Sequence, residues 1–410
     1  MHHFLTSIQI NKIFHLEDIK IDIDEKEKKH LLITGKNGCG KTSLLNALVN
    51  YLQSVRNDKY LGFLKYRKYK DDLMAELGRL GHTPSDELKK SSIIKDLDII
   101  ESNIQNHFGK VDLAFNHIHD LASLHHNEEF LFAFYPANRI SKVIRQTNPE
   151  KPNLNPVEKI TDSKQIEFVK FLIDLKVQEA LAERNGDIVY ANEIKEWFDN
   201  FEALLYKVFE DENLKLHFNF KNYVFTIQQN EKEFGFNELS DGYSAIIYII
   251  TDLILKMQDP ENLTRAYKKQ GIVLIDEIET HLHLELQKAI MPMLTRVFPN
   301  IQFIVTTHSP FVLNSIDNAV AYDLEKKERL DELHEYSYEA LAEGYFDVST
   351  ESSFLNNKLE RLKELIKKEE RDSDEQFELN QIKKEFDEAL DNALTPESVK
   401  IEYQQIKLNS

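Results

Sequence analysis

One cysteine, Cys39, stands in 410 residues. An intrachain disulfide is therefore impossible, and a reducing cytoplasm is the expected home. No run of about eighteen apolar residues occurs, so no membrane-spanning helix is expected. The longest apolar helical pattern, "YSAIIYIITDLILKM", is short and carries Asp252. The first residues, "MHHFLTSIQI", lack a basic region followed by an apolar stretch, and no secretory leader is expected. Basic residues are outnumbered, 51 against 70, for a net charge of −19. That balance argues against a surface devoted to nucleic acid, though it leaves room for a local basic patch. It also favours solubility and a partner with a basic face. Internal repeats and low-complexity tracts are absent.

Hydrophobic residues make up 41% of the chain, enough to build a sizeable core. "FLTSIQI", "IKIDID" and "HLLIT" read as strands, because they alternate or run apolar and are rich in Ile. "GKNGCGKT" interrupts them, and helical spacing resumes in "SLLNALVNYLQSV". Residues 56–128 read as a charged, mostly helical insertion. "EFLFAFYPANR" returns to strand, and the proline-rich "TNPEKPNLNPVEK" is a loop. Two amphipathic helices fill 163–212, and "LKLHFNF" with "YVFTIQQ" forms a hairpin turning at "KN". Beyond these come a helix after Gly242, the strand "GIVLID", a helix over 284–297, the strand "IQFIVTT", a short helix from Pro310 and the strand "AVAYDL". Residues 335–410 are helical and strongly charged.

The expected fold is thus α/β, with a mixed or mostly parallel sheet, a helical insertion and a helical C-terminal extension. The expected division is 1–55 (an N-terminal lobe with the glycine loop), 56–128 (insertion), 129–212 (strand, loop and helices), 213–330 (the rest of the head) and 331–410 (extension). In such sheets, ligands bind beyond the carboxyl ends of the strands.

Gly35, Gly40, Lys41 and Thr42 fit the spacing G-x-x-x-x-G-K-[ST], between a strand and a helix. Backbone N–H groups of such a loop, with the helix N-terminus behind them, make an anion nest. Lys41 then reaches the outer phosphates of a nucleotide, and the Thr42 hydroxyl binds Mg²⁺. Gly38 adds a flexible position, and Cys39 packs or lies on the loop surface. "GIVLIDEIE" ends a buried strand in Asp276 and Glu277. Acids there are costly unless they meet a cation or a water to be activated. Asp276 suits Mg²⁺, and Glu277 suits orientation or deprotonation of an attacking water. His308 follows the next apolar strand and is placed to donate to a terminal phosphate. His281 and His283 lack a third ligand at metal spacing and serve better to position their loop.

Together these segments resemble the ABC-type ATPases, especially the branch of SMC-like, RecF-like and OLD-like heads. "GKNGCGKT" looks like Walker A, "IVLIDE" like Walker B, "LSDGY" like the ABC signature and "TTHS" like the switch-histidine segment. Thirty-four positions separate Gly242 from Asp276, and thirty-two separate Asp276 from His308. "DEIETHLHLELQ" and "THSPFVL" narrow the resemblance to ATPases of bacterial antiphage systems: Septu, PARIS and some retrons. The resemblance implies ATP hydrolysis, with ATP and Mg²⁺ as cofactors. Gly35, Asn37, Gly38, Cys39, Gly40, Lys41, Thr42 and Ser43 would cradle the nucleotide. Thr42 and Asp276 would hold the metal, and Glu277, His308 and Lys41 would act in catalysis. It further implies a homodimer, or an oligomer of dimers, in which Ser240 and Gly242 meet ATP held by the other copy. A separately encoded effector, a nuclease above all, would be the partner, with DNA or a phage-derived molecule as trigger. The signature departs from the transporter form at Asp241 and Tyr243, and the "FYPANR" segment supplies no recognisable Q-loop glutamine.

The alternative is a SMC/RecF-like repair ATPase that clamps duplex DNA; a third reading is a scaffold that binds ATP without needing hydrolysis. "KYLGFLKYRKYK" interleaves cations and aromatics and would suit either DNA or an amphipathic helix. "YSYEALAEGYFDVSTESSFL" would dock an effector or pack on its own sheet. Asp372 and Asp374 lie between helical patterns and read as a helix-capping linker, so no nuclease is expected within the chain itself.

Overall fold

The computed structural model describes residues 3–56, 69–81, 83–117, 129–139, 148–258, 269–330, 353–368, 370–390 and 397–409, with a few isolated positions between. Most of "KYLGFLKYRKYK", including Lys65, Arg67 and Lys68, and most of "YSYEALAEGYFDVSTESSFL" lie outside the described residues. The chain falls into two compact units, Met1–Tyr336 and Ser337–Ser410.

The first unit starts with β1 (Leu5–Ile13), β2 (Leu16–Asp22) and β3 (His30–Thr34), then helix α1 (Lys41–Arg56). Helix α2 (Pro84–Phe108) opens on a capping box, Thr83 with Asp86, with Pro84 in its first turn. It leads to β4 (Val111–Phe115) and β5 (Phe130–Tyr135). Here the structure departs from the helical reading of 56–128, since β4 pairs antiparallel with β1. Five residues carry too few periods to reveal themselves, and a partner some hundred residues away decides their conformation. Helices α3 (Phe168–Asn185) and α4 (Ile188–Phe209) precede β6 (Lys215–Asn219), β7 (Val224–Gln229) and β8 (Lys232–Gly235), a three-stranded meander. The "KN" at 221–222 lies in its first turn, where the Asn219 side chain accepts from Lys221 N–H. Next come α5 (Asp241–Met257), β9 (Gln270–Ile275), α6 (Leu284–Val297), β10 (Ile301–Thr306), α7 (Pro310–Leu313), β11 (Ala319–Asp323) and β12 (Glu328–Leu330).

The principal sheet has the order β12-β11-β3-β10-β9-β5. All its pairings are parallel except that of β12 with β11. Parallel strands need both faces covered, which explains why β3, β5 and β10 are buried at every position. On one face Leu31, Ile33, Phe132, Phe134, Leu274 and Ile304 share a core with α1 and with the β2-β1-β4 sheet. Gln302, fully buried in β10, joins the two sheets: its amide donates to the carbonyls of Leu5 and Lys29 and accepts from Leu5 N–H. On the other face α5 packs on β5 and against α3, α4 and α6. Nearly the whole of α5 is buried from Ala245 onward, and each such Ile or Leu contributes roughly 1.5–3 kcal/mol over exposure.

Burial along α5 includes a charge. Asp252 accepts from Tyr135 Oη at 2.7 Å, Ser163 Oγ at 2.9 Å and Lys164 N–H, and pairs with Lys256 at 2.7 Å. A buried carboxylate is tolerated when each lone pair is met in this way. The Tyr135 hydroxyl is pushed well above its ordinary pKa, first by burial and then by Asp252.

The second unit is helical: α8 (Ser353–Lys367), α9 (Ser373–Leu390) and α10 (Glu397–Asn409). Leu359, Leu362, Leu379, Ile382, Phe386 and Tyr403 form its core. Asp372 exchanges hydrogen bonds with Glu375 as a capping box at the start of α9.

Candidate functional site

The site gathers at the carboxyl ends of β3, β9, β10 and β5. After β3, Gly35, Gly38 and Gly40 take φ values of 131°, 84° and 104°, a region open to glycine at little cost. At Gly35 a side chain would also collide, its Cβ falling 2.8 Å from Cys39 Sγ and 3.2 Å from Glu325 N. The loop is braced from outside. His15 bonds the Cys39 carbonyl at 3.1 Å, and Glu325 accepts from Lys36 N–H at 3.2 Å. Asn37 and Gly38 lie exposed at the crest, and Cys39 is buried beneath. Lys41 is buried and curls over the loop, donating to the carbonyls of Gly35 at 2.7 Å and Lys36 at 3.0 Å. Thr42 and Ser43 follow in the first turn of α1.

Asp276 is buried immediately after β9. One of its oxygens accepts from Thr42 Oγ1 at 2.9 Å and the other from Thr306 Oγ1 at 2.6 Å. The ends of β9 and β10 and the first turn of α1 are thereby tied through one carboxylate. Thr306 Oγ1 also accepts from Glu277 N–H at 2.7 Å. Glu277 is half-buried and adopts φ 44°, the left-handed region that a side chain enters at a cost of about 1–3 kcal/mol. Beneath it the guanidinium of Arg139 contacts the backbone of the same turn.

His308 is half-buried after β10, and its backbone N–H donates to the Glu279 carboxylate at 2.5 Å. Burial, then the Lys41 charge, lowers its pKa, against the opposing pull of Glu277 and Asp276. A neutral imidazole offers one N–H donor. Burial also raises the Glu279 carboxyl, opposed by the His308 N–H.

The signature segment is arranged differently. Ser240 is the N-cap of α5, exposed, and its side chain makes no capping bond. Gly242 is buried against the following loop, where a Cβ would stand 2.7 Å from the His281 carbonyl oxygen. Tyr243 stacks on Phe209 at 4.6 Å and meets the His283 ring edge-on at 6.0 Å. That packing accounts for the aromatic residue at this signature position. His281 and His283 are exposed. No three His, Cys, Asp or Glu among the described residues cluster as a metal site of their own.

The structure brings Lys41, Thr42, Asp276, Glu277 and His308 to the same strand ends. Thr306 and Glu279 escaped the sequence reading, and Arg139, with Asn138, stood out only as an unassigned filler of the Q-loop region. The two threonine hydroxyls in "TTHS" were a visible signal. Arg139 had only its place after a strand, in "FYPANR".

Residues 31–314 match the family described as "AAA domain, putative AbiEii toxin, Type IV TA system". The chain is similar to "Septu protein PtuA" of Bacillus mycoides (strain KBAB4), 27% identical over 80% of this chain and 41% of that protein. It is also similar to "Retron Ec83 probable ATPase" of Escherichia coli, 43% identical over 22% of this chain and 17% of that protein. The matched region thus spans well under half the length of these relatives. Both are of the defence-system kinds that the motifs suggested. Among solved structures, an Smc head bound to the C-winged helix domain of ScpA superposes loosely, with a TM-score of 0.40 and 12% identity over 80% of this chain and 98% of its own. The P-loop, the paired acids and the strand-end histidine all fall within the matched residues, and the chain belongs to this AAA family, AAA_21, as an α/β nucleotide-binding ATPase domain.

Proposed function

We propose that this chain is the ATP-hydrolysing switch of an antiphage defence system, acting in the bacterial cytoplasm. Two copies close around ATP and control a separately encoded effector, a nuclease above all. The observation that supports the reading best is the Thr42–Asp276–Thr306 bridge, which brings the phosphate loop and the acid-tipped strand to one point.

The residues present fit a hard, oxygen-seeking cation. The Thr42 hydroxyl and the Asp276 carboxylate are oxygen donors 2.9 Å apart and would hold Mg²⁺ jointly with phosphate oxygens. When bound, Mg²⁺ neutralises phosphate charge as the terminal bond breaks. Lys41 exchanges its loop carbonyls for phosphate oxygens. The loop N–H groups, from Gly35 and Asn37 to Ser43, cradle the rest. Glu277 accepts a proton from the attacking water, and neutral His308 donates to the terminal phosphate. Ser240 and the backbone at Gly242 reach the ATP of the second copy, a role suited to an exposed N-cap whose side chain is not engaged by its own helix. The similarity to a Septu protein and a retron ATPase supports the defence role and the separate effector. The trigger, DNA or a phage-derived molecule, would be sensed by the assembled complex.

The test combines Glu277→Gln turnover with mass measurement in Mg·ATP. Hydrolysis should fall about 10²–10⁴-fold while a nucleotide-filled dimer accumulates. Undiminished hydrolysis sinks the role of Glu277, and a monomer at saturating ATP sinks the paired-copy switch. Co-purification from the native operon should bring the effector along with the chain.

A further inference from the structure

We infer that Arg139 is a positioning residue for hydrolysis: its guanidinium holds the turn that aims the Glu277 carboxylate at the attacking water. The inference rests on the role proposed for Glu277 and adds what keeps that residue in place.

Arg139 follows β5, the edge strand beside β9. It is 2% exposed; its two Nη groups donate to main-chain carbonyls, while its buried Nε meets no partner among the described residues. Nη1 donates to Asp276 O at 2.6 Å and Pro136 O at 2.9 Å; Nη2 donates to Glu277 O at 2.9 Å and Ile278 O at 3.3 Å. Three consecutive carbonyls therefore point at one side chain. The matching N–H groups are held from elsewhere: Asp276 N–H by Tyr135 O at 2.8 Å, Glu277 N–H by Thr306 Oγ1 at 2.7 Å and Ile278 N–H by Thr306 O at 3.2 Å. Every backbone polar group of residues 276–278 is thus fixed; Arg139 meets all three carbonyls, and Thr280 N–H shares that of Glu277 at 3.0 Å.

Such over-determination is what a strained residue needs. At φ 44° Glu277 sits where a side chain rarely rests, and it stays there only while its surroundings enforce the turn. A planar guanidinium can serve several carbonyls at once; a lysine ammonium is a single point on a flexible stem. The pattern of bonds also separates the side chains from the main chain. The carboxylates of Asp276, Glu277 and Glu279 act on Arg139 through their charge, yet the hydrogen bonds of its two Nη groups go to carbonyl oxygens. Arg139 clamps the backbone, while the carboxylates are met by hydroxyls: Asp276 by Thr42 and Thr306, and Glu277 by Thr280 Oγ1 at 3.3 Å. Burial, the largest influence, lowers the Arg139 pKa to about 10, with those carboxylates opposing, so it remains charged at neutral pH.

The decisive experiment is steady-state ATP hydrolysis by the full chain carrying Arg139→Lys, alone and combined with Glu277→Gln, with nucleotide affinity measured alongside. Arg139→Lys should lower kcat about 10–100-fold, as a misaimed group does, and leave KM and ATP affinity within about threefold. In the Glu277→Gln background it should lower the residual rate by less than about twofold, because a group acting through Glu277 has nothing left to aim. An unchanged kcat, a raised KM at constant kcat, or the same fold-loss in both backgrounds would each overturn the inference. If Arg139→Lys melts before it can be assayed, Arg139→Gln, which keeps a shorter side-chain donor toward the same carbonyls, takes its place. It should show a loss in kcat at constant ATP affinity, and a loss of affinity alone would count against the turn. If Glu277→Gln leaves turnover intact, the proposed base is wrong. If that variant is inactive and Arg139→Lys is not, only the role of Arg139 falls.

Discussion

The P-loop half of the site and the signature half treat their polar groups in opposite ways. Around the P-loop, each named side chain is engaged: Lys41 with two carbonyls, Thr42 and Thr306 with Asp276. At the signature, Ser240 stands exposed at the head of α5 with its side chain out of the cap, while Gly242 two residues on is pressed against a neighbouring carbonyl. One half is organised by its own chain. The other presents a helix tip outward on a tightly packed base, as suits a surface that works on something beyond its own loop.

Mutations can sharpen or break that contrast. The largest effect is expected for Lys41→Ala, which removes the cation from the organised half; ATP turnover should drop more than about 100-fold, and a coupled phosphate-release assay decides it. Next in size is Gly242→Ala. Its new methyl meets the His281 carbonyl oxygen, and the overpacking should cost about 1–3 kcal/mol, read as a lower denaturation midpoint. A melt like that of the unaltered chain would mean the base of the signature yields.

His30 tests the bracing under the P-loop from the other end of β3. Its Nδ1 accepts from Phe303 N–H at 3.0 Å, and burial, with a smaller push from Lys28, lowers its pKa from 6.5 to about 3. The unfolded chain therefore binds a proton below pH 6.5 that the folded chain refuses until about pH 3. Stability is greatest above 6.5 and falls as the pH drops through that window, by about 1.4 kcal/mol per pH unit. His30→Asn keeps an acceptor without the titration. Urea unfolding at pH 7 and pH 5 should show its acid loss smaller by about 2 kcal/mol; equal losses would contradict the assignment. The smallest effect is reserved for Ser240→Ala. A working N-cap serine is worth about 1 kcal/mol, but this one makes no cap, so stability should move by less than about 0.5 kcal/mol while turnover falls. A melt lowered by a full kcal/mol would restore the ordinary capping role.

What the sequence disclosed and what it hid follow from range. The phosphate loop was legible because strand, glycines, lysine and helix lie within a few residues, each with a local reason for its place. Asp276 was legible because an acid ending a buried strand is conspicuous. The partners of these residues were not. Thr306 meets Asp276 across thirty positions, and Arg139 meets the same turn across 137; nothing local marks a hydroxyl or a guanidinium that works on distant backbone. Strand β4 was missed for the same reason, as its pairing lies with β1. Tyr243 looked like a departure from a motif until Phe209, from α4, appeared beneath it.

The contacts along α5 close on themselves. From Glu277 the chain runs four residues to His281, whose carbonyl touches Gly242 at the head of the helix. The helix, about 25 Å long at 1.5 Å per residue, carries Asp252, which grips the Tyr135 hydroxyl. The Tyr135 carbonyl in turn receives the N–H of Asp276, the neighbour of Glu277. A linkage of this kind has no loose end: the acid turn and the helix tip belong to one ring of contacts. The two halves that differ so sharply in bonding are members of one closed frame.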